Sequence, residues 1–161
     1  MKIPVVNEQD ELIEYKERLE INPTDVYRVS GLWVTDKEGN TLLAQRAFTK
    51  KHDPGLWGPA VAGTVEEGET YDSNVIKEAE EEIGLKNIQP ILGPKLRRST
   101  KNQYFVQWFS VVVDHNYPFV KSDEEVEQIK WFSKEELNNL LRKKPEIFLP
   151  NFDFYIEYFN K

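Results

Sequence analysis

The chain has 161 residues, of which 39% are hydrophobic and 30% charged, and its formal net charge is −7. This length can bury one core, so we predict a single domain over residues 1–161, with residues 1–26 as an N-terminal hairpin extension. The negative charge argues against a binding surface for DNA or anionic lipid. The absence of cysteine excludes disulfides, thiolate metal sites and cysteine nucleophiles. No apolar run approaches the roughly 18 residues of a membrane span, and we expect a cytoplasmic protein for which an oligomer is possible but not indicated.

The first part of the chain predicts two hairpins followed by a basic loop. Both hairpins have β-rich runs on either side of a polar turn, and the second turn, DKEGN, contains the Gly and Asn typical of tight turns. The expected ranges, in chain order, are strands at 3–6, 11–16, 27–35 and 41–48, a Pro/Gly-rich loop at 50–59 and a short strand within 60–65.

The middle of the chain predicts one helix, Tyr71–Ile83. Polar Thr70 or Asp72 can begin it, and Gly84 can end it as a left-handed residue. At about 100° per residue, an apolar stripe and an acidic group lie side by side. The stripe contains Val75, Ile76, Ala79 and Ile83, and the acidic group contains Glu78, Glu81 and Glu82. Like charges at these spacings repel on a bare helix, and a divalent cation would remove that repulsion. Hard oxygen ligands favour Mg²⁺ or Mn²⁺.

The last part of the chain alternates strands and helices. Ser133 is expected to cap a helix, with Glu136 completing an S-x-x-E capping box. Strands are expected near Ile88–Leu96, Tyr104–Val113 and Glu127–Phe132, and a final aromatic helix at Phe152–Phe159. The predicted class is α+β, with helices packed on a mostly antiparallel or mixed sheet.

A run of glutamates is ordinarily a solvated helix face, but the spacing here matches a known pattern. The segment Gly63–Leu85 resembles the Nudix box, G-x5-E-x7-R-E-U-x-E-E-x-G-U, where U is aliphatic. The matching residues are Gly63, Glu69, Glu78, Ala79, Glu81, Glu82, Gly84 and Leu85, and Lys77 stands where the pattern has arginine.

This resemblance implies a Nudix-type α/β/α sandwich, in which a mixed sheet is packed between helices. It also implies a hydrolase that uses Mg²⁺ or Mn²⁺ to cleave a diphosphate linkage in a small molecule of the nucleoside diphosphate type. The metal ligands implied are the Gly63 carbonyl and the carboxylates of Glu78, Glu81 and Glu82. The same three glutamates and Glu125 are the catalytic candidates, since Glu78 or a glutamate from the loop at 124–127 could serve as general base.

Several residues are expected to support this site. Lys77 can neutralise Glu81 or Glu69, although it lacks the two-bond grip of arginine on a carboxylate. Two basic clusters flank the box in sequence, and they are candidates for binding substrate phosphate. The candidates are Arg46, Lys50 and Lys51 before the box and Arg98 after it.

Two alternatives accompany the hydrolase interpretation. Sequences on both sides of the box resemble the branch that contains isopentenyl-diphosphate isomerases and their hydrolase relatives. Isomerase chemistry requires a cysteine at the position of Ala62 and metal-binding histidines at the positions of Thr64 and Tyr27, and the isomerase's later glutamate pair aligns with Lys101 and Gln103. The other alternative is a non-catalytic module that binds a nucleotide. The identity of the diphosphate substrate is left open.

Overall fold

The computed structural model describes residues 1–160, which form nine strands and three α-helices. The strands are β1 (Lys2–Val6), β2 (Leu12–Glu17), β3 (Val26–Thr35), β4 (Thr41–Arg46), β5 (Trp57–Pro59), β6 (Val61–Thr64), β7 (Ile91–Ser99), β8 (Gln103–Val112) and β9 (Val126–Phe132). The helices are α1 (Tyr71–Ile83), α2 (Lys134–Lys143) and α3 (Phe152–Phe159), with 3-10 turns at Arg18–Glu20 and Pro145–Ile147.

Strand β3 organises the sheet. One of its edges pairs in parallel with β8 over its whole length, and β7 continues the sheet antiparallel to β8. The other edge pairs antiparallel with β1, β6 and β4 at successive positions. Strand β4 in turn pairs with β5 and β9. The sheet is therefore mixed, and its longest pairing brings together residues 77 positions apart in sequence.

Alternate side chains of the central strands enter two separate cores, as the period of two in a strand requires. Leu32 and Val34 face α1, whereas Trp33 between them faces α2 and α3. Each core is closed by its own helices: Val75, Ala79 and Ile83 from α1 on one side, and Leu137, Phe152 and Ile156 from α2 and α3 on the other. The predicted α+β class and the α/β/α sandwich are confirmed.

Three local predictions need correction. Strand β5 lies inside the range expected to be a loop, because its three residues gain their backbone bonds from distant segments, chiefly β4 and also Leu149. Ile76 is 41% exposed and is not part of the core stripe. Ser133 caps α2, but the Glu136 side chain binds Lys130 and does not complete the capping box.

None of the helices in the described residues has the length and apolar content needed to cross a membrane.

Candidate active site

A cleft of about 750 Å³ opens along α1 between acidic and basic walls. Glu78, Glu81 and Glu82 of α1 form the acidic wall, together with Glu124 and Glu125 from the loop before β9. The basic wall contains Arg18, Arg46, Lys50, His52 and Lys101. The structure thus brings the three box glutamates, Gly63 and Glu125 to one cleft with two of the predicted phosphate-binding residues.

Both ends of α1 are fixed by contacts that the sequence encodes. Thr70 accepts a hydrogen bond from the Ser73 amide and Ser73 accepts one from the Thr70 amide, so the first turn is capped. Gly84 ends the helix in the left-handed conformation, with φ of 67°. The last carbonyls accept hydrogen bonds from the loop that follows β8, at the Val120 and Ser122 amides. Those two bonds hold the loop carrying Glu125 beside the acidic wall.

Gly63 lies directly against Glu78. A Cβ atom at Gly63 would be 2.5 Å from Cγ and 2.8 Å from Cδ of Glu78, closer than any side chain tolerates. Fully buried Asn74 fixes this approach by donating to the Thr64 carbonyl and to Glu69 and by accepting a hydrogen bond from Ser30 on β3. The missing side chain at Gly63 therefore leaves its backbone open to the carboxylates.

The carboxyl groups of Glu78 and Glu82 share a hydrogen bond, and both have pKa values above the ordinary value for glutamate. Burial is the largest cause for each. For Glu82 the charges of Glu78 and Glu125 raise the pKa further, whereas for Glu78 the nearby Lys77 ammonium partly offsets the effect of burial. Glu78 and Glu82 are thus held close together, and nearby cations do not fully neutralise their charge.

Lys77 pairs with the carboxylates at the start of the box. Its Nζ lies 2.7 Å from Oε2 of Glu69 and 3.3 Å from Oε2 of Glu66, and 3.6 Å from Oε1 of Glu78. Of the two partners proposed from the sequence, the structure gives Glu69 and not Glu81. Burial acts to raise the pKa of Glu69, but the bonds from Lys77, the Glu66 amide and Asn74 outweigh it and hold the pKa below its usual value.

The residues present fit a divalent cation, although they are not gathered into a finished binding site. Within residues 1–160, no three acidic or histidine side chains already stand in an arrangement that could hold a metal ion. The donors that meet the cleft are carboxylate oxygens and the backbone at Gly63, the hard ligands that suit Mg²⁺ or Mn²⁺. The space left by the missing side chain at Gly63 is consistent with cation binding. So are the charges of Glu78 and Glu82, which nearby cations neutralise only in part.

The basic wall is held by one ion pair to the acidic wall and by one hydrogen bond within itself. Lys50 Nζ lies 2.6 Å from Oε2 of Glu125, and Arg46 donates to the His52 carbonyl at 3.0 Å. Two predicted phosphate-binding residues stand elsewhere. Lys51 is exposed outside the cleft, and the Arg98 guanidinium lies over the rings of Phe154 and Tyr155 at 5.4 Å. No contact of Lys51 or Arg98 in the described residues supports the role expected of it.

Some residues of the site were missed from the sequence. Arg18 reaches the cleft from the N-terminal extension, and its side chain makes no ion pair or hydrogen bond within the described part of the chain. Tyr27 and Tyr104 also line the cleft and stack at 5.8 Å, because parallel pairing of β3 and β8 places them in register. The only sequence feature that pointed to Asn74 was its position on the helix of the box. No local pattern could have found Arg18, since its place depends on the packing of the hairpin.

A family model described as the NUDIX domain matches residues 26–152. An isopentenyl-diphosphate Delta-isomerase of Photobacterium profundum is 28% identical over 123 residues, which cover 73% of this chain and 68% of that protein. A protein of Escherichia coli, described as the uncharacterized Nudix hydrolase YfcD, is 26% identical over 136 residues, covering 84% of this chain and 75% of its own length.

Solved structures share the fold. The DR0079 protein of Deinococcus radiodurans superposes with a TM-score of 0.81 at 20% identity, with both chains fully covered. A MutT protein from Methanosarcina mazei Go1 has a TM-score of 0.68 at 19% identity, with 84% of this chain and 93% of that chain covered. At these identities the likeness concerns the fold alone.

Proposed function

The chain belongs to the Nudix family, and from that premise we propose that it is a metal-dependent hydrolase that cleaves the diphosphate linkage of a nucleoside diphosphate-type small molecule. The observation that carries this proposal is the half-buried pair Glu78 and Glu82. Glu78 lies against the open backbone at Gly63, and the pair shares a cleft with the cations of the basic wall. A polyanion can enter a protein of net charge −7 only where local cations receive it.

The two walls of the cleft have different roles. Glu78, Glu81, Glu82 and the Gly63 carbonyl would hold Mg²⁺ or Mn²⁺. Such a cation, when bound, neutralises charge on the diphosphate oxygens and makes an attacking water more acidic. Arg46 and Lys50 from the basic wall orient the phosphates, and Arg18 adds a third positive charge. Lys77 and Glu69 keep the acidic helix face in position.

A carboxylate of the acidic wall removes the proton from the attacking water. Glu78 and Glu82 are favoured over Glu81 on α1, because both are half-buried in the cleft whereas Glu81 is exposed. Glu125 is the remaining candidate. Its carboxylate is paired with Lys50, and a phosphate that draws Lys50 away would free the Glu125 carboxylate.

The test is an assay of the purified protein with Mg²⁺ or Mn²⁺ and a panel of nucleoside diphosphates, nucleoside triphosphates and non-nucleotide diphosphates. Release of phosphate or of a monophosphate, abolished by chelation, is the expected result. In parallel, a crystal soaked in Mn²⁺ should show a cation about 2.0–2.2 Å from carboxylate oxygens of α1. Binding of Mn²⁺ only at other residues, or no hydrolysis of any diphosphate, would reject the proposal.

A second candidate is supported by the relatives that are named isopentenyl-diphosphate isomerases. The residues of the cleft argue against isomerisation, because Ala62 and Thr64 supply neither a thiol nor an imidazole and the chain has no cysteine. Incubation with isopentenyl diphosphate and Mg²⁺ separates the two activities. An isomerase moves the double bond and releases no phosphate, whereas a hydrolase releases phosphate and leaves the double bond in place. Nucleotide binding without turnover would instead support the non-catalytic module.

A further inference from the structure

The carboxylate of Glu69, in the loop before α1, is bound at both of its oxygens. Oε2 lies 2.7 Å from the ammonium nitrogen of Lys77. Oε1 accepts hydrogen bonds from the Glu66 amide at 2.8 Å and from the side-chain amide of Asn74 at 3.1 Å. Because the Glu69 side chain is only 16% exposed, these donors replace most of the water that would otherwise surround its charge.

The Asn74 side chain is fixed in one orientation. Its Nδ2 atom faces two groups that only accept hydrogen bonds, the Thr64 carbonyl at 3.1 Å and the ionised carboxylate of Glu69. Its Oδ1 atom accepts a hydrogen bond from the Ser30 hydroxyl on β3. Asn74 and Ser30 are both fully buried, so both N–H donors of this amide bind inside the protein, and one of them points at Glu69.

Lysine and arginine differ in what they can offer Glu69. The ammonium of Lys77 is a point charge, bound to Oε2 of Glu69 and 3.3 Å from Oε2 of Glu66. An arginine at position 77, the residue type of the box pattern, could hold both oxygens of Glu69 with two parallel bonds. Asn74 precedes Lys77 by three residues on α1, so the two side chains are neighbours on the helix surface. Lys77 binds one oxygen of Glu69 and Asn74 binds the other.

The contacts of Asn74 reach the candidate cation ligands through the backbone of β6. Thr64, whose carbonyl Asn74 binds, follows Gly63 directly, and Ser30 lies opposite Gly63 in the pairing of β3 with β6. A Cβ atom at Gly63 would be 3.2 Å from Oδ1 of Asn74 and 2.5 Å from Cγ of Glu78. Asn74 therefore fixes the distance between the Gly63 backbone and α1, although it does not itself line the cleft.

We propose that Asn74 is a positioning residue of the cation site, and that Asn74 and Lys77 together hold Glu69 as a single arginine at position 77 would. The inference rests on the proposed function, because it assumes that a divalent cation binds beside Gly63 and Glu78. Asn74 touches neither the cation nor the substrate and acts through Glu69 and the Thr64 carbonyl. Contacts of this outer kind commonly change metal affinity by about 10- to 100-fold.

The test is a double-mutant cycle of Asn74→Ala and Lys77→Arg. Mn²⁺ is titrated calorimetrically, without substrate, into the wild type, both single variants and the double variant. Asn74→Ala should weaken Mn²⁺ binding about tenfold, the lower end of the range for an outer contact. Lys77→Arg alone should change it little, because Asn74 already binds the second oxygen of Glu69. In the double variant arginine should restore most of the lost affinity. Effects that simply add would show that the two side chains act independently and would reject the proposal.

Two further variants separate positioning from a purely structural role. Gln107→Ala removes another buried side-chain amide, which donates to the Gly93 and Trp108 carbonyls at 2.9 and 3.0 Å and does not line the cleft. It should lower the free energy of unfolding and leave Mn²⁺ affinity unchanged. Ser30→Ala removes the hydroxyl that binds Oδ1 of Asn74 and should weaken Mn²⁺ binding by less than Asn74→Ala does. If Asn74→Ala fails to fold, unchanged Mn²⁺ affinity in Ser30→Ala rejects the proposal.

The concentration of Mg²⁺ that gives half-maximal turnover, measured for the same proteins, separates this inference from the proposed function. The expected order of Mn²⁺ affinities without hydrolysis of any diphosphate supports the positioning role and rejects the hydrolase. Hydrolysis with a Mg²⁺ requirement and a Mn²⁺ affinity that Asn74→Ala leaves unchanged rejects the positioning role and leaves the hydrolase intact. A wild type that binds no Mn²⁺ rejects both.

Discussion

The protein removes acidic side chains from solvent at two places, fully at Asp10 and partly at Glu78 and Glu82, and the surroundings shift their pKa values in opposite directions. Asp10, in the turn between β1 and β2, is 8% exposed and is surrounded by donors. Arg28 Nε lies 2.7 Å and Lys95 Nζ 2.8 Å from its carboxylate, and the Tyr71 hydroxyl donates at 2.9 Å. Burial acts to raise the pKa of Asp10, but these bonds outweigh it and lower the pKa below its usual value.

Glu78 and Glu82 have no comparable set of donors. Their pKa values are raised, and their carboxyl groups share a hydrogen bond with each other. Both clusters touch the same helix, since Tyr71 begins α1 and Glu82 lies near its end. The difference shows that this fold can neutralise a buried carboxylate where stability requires it. A pair left without full neutralisation, in a cleft, is therefore a candidate for function.

The largest effect should follow from Glu82→Gln, which keeps the shape of the side chain and removes its charge. Loss of a catalytic or cation-binding carboxylate of this kind commonly lowers kcat by about 10²-fold or more. The melting temperature of the metal-free protein should stay the same or rise, because repulsion with Glu78 disappears. Glu80→Gln, on the exposed side of the same helix, is the control and should retain activity. Unchanged turnover of Glu82→Gln at saturating Mg²⁺ would remove Glu82 from the site.

The converse change is Asp10→Asn. It leaves Arg28 and Lys95 without their shared partner, so the free energy of unfolding should fall by on the order of 2–3 kcal/mol, measured by urea denaturation. Activity per folded molecule should change little. Asp123→Asn breaks the exposed pair with Lys121 and should alter stability far less, as is usual for a surface ion pair. Equal losses in the two variants would mean that the Asp10 cluster contributes no more than a surface ion pair.

A smaller effect is expected at Lys77, the position where the box has arginine. Lys77→Ala removes the pairs with Glu69 and Glu66, so the concentration of Mg²⁺ that gives half-maximal turnover should rise severalfold. Lys77→Arg should preserve or raise activity, because guanidinium can hold a carboxylate with two bonds. Stability should change by only about 0.5 kcal/mol, since the pairs are partly exposed. If the Mg²⁺ titration of Lys77→Ala coincides with that of the wild type, Lys77 is an ordinary surface lysine.

The smallest effect concerns pH, where the two clusters should have opposite signs. A carboxyl whose pKa is raised on folding binds its proton more tightly in the folded state, so stability falls as pH rises above 4.5, the usual value for glutamate, toward the raised pKa of Glu82. Asp10 has a lowered pKa, and its contribution is lost as pH falls below 3.8, the usual value for aspartate.

The measurement is the free energy of unfolding of wild type and Glu82→Gln in chelator between about pH 4.5 and 8, a range that starts at the usual pKa of glutamate. The wild type should lose stability relative to the variant as pH rises, and added Mg²⁺ should restore it. A difference that stays constant across this range would contradict the raised pKa of Glu82.

Much of the acidic side of the site could be predicted from the sequence, because its signals are local. Thr70 and Gly84 mark the two ends of α1 within one turn of the helix, and the spacing of Glu78 and Glu82 fixes their common face. The confirmed helix limits follow from contacts between residues three to five positions apart. The pairing of Lys77 with Glu69 was also predicted from the sequence.

Only the tertiary structure decided what faces that helix. Arg18 enters the cleft because a hairpin folds back, Lys50 meets Glu125 across 75 residues, and Arg98 packs on Tyr155 outside the cleft. Strand β5 gains its bonds from β4 and is too short to leave a periodic signal. The sequence by itself determined the helix, its carboxylates and the family. The opposing wall required three-dimensional packing, because it is assembled from segments distant in sequence, and local patterns do not indicate which distant segments pack together.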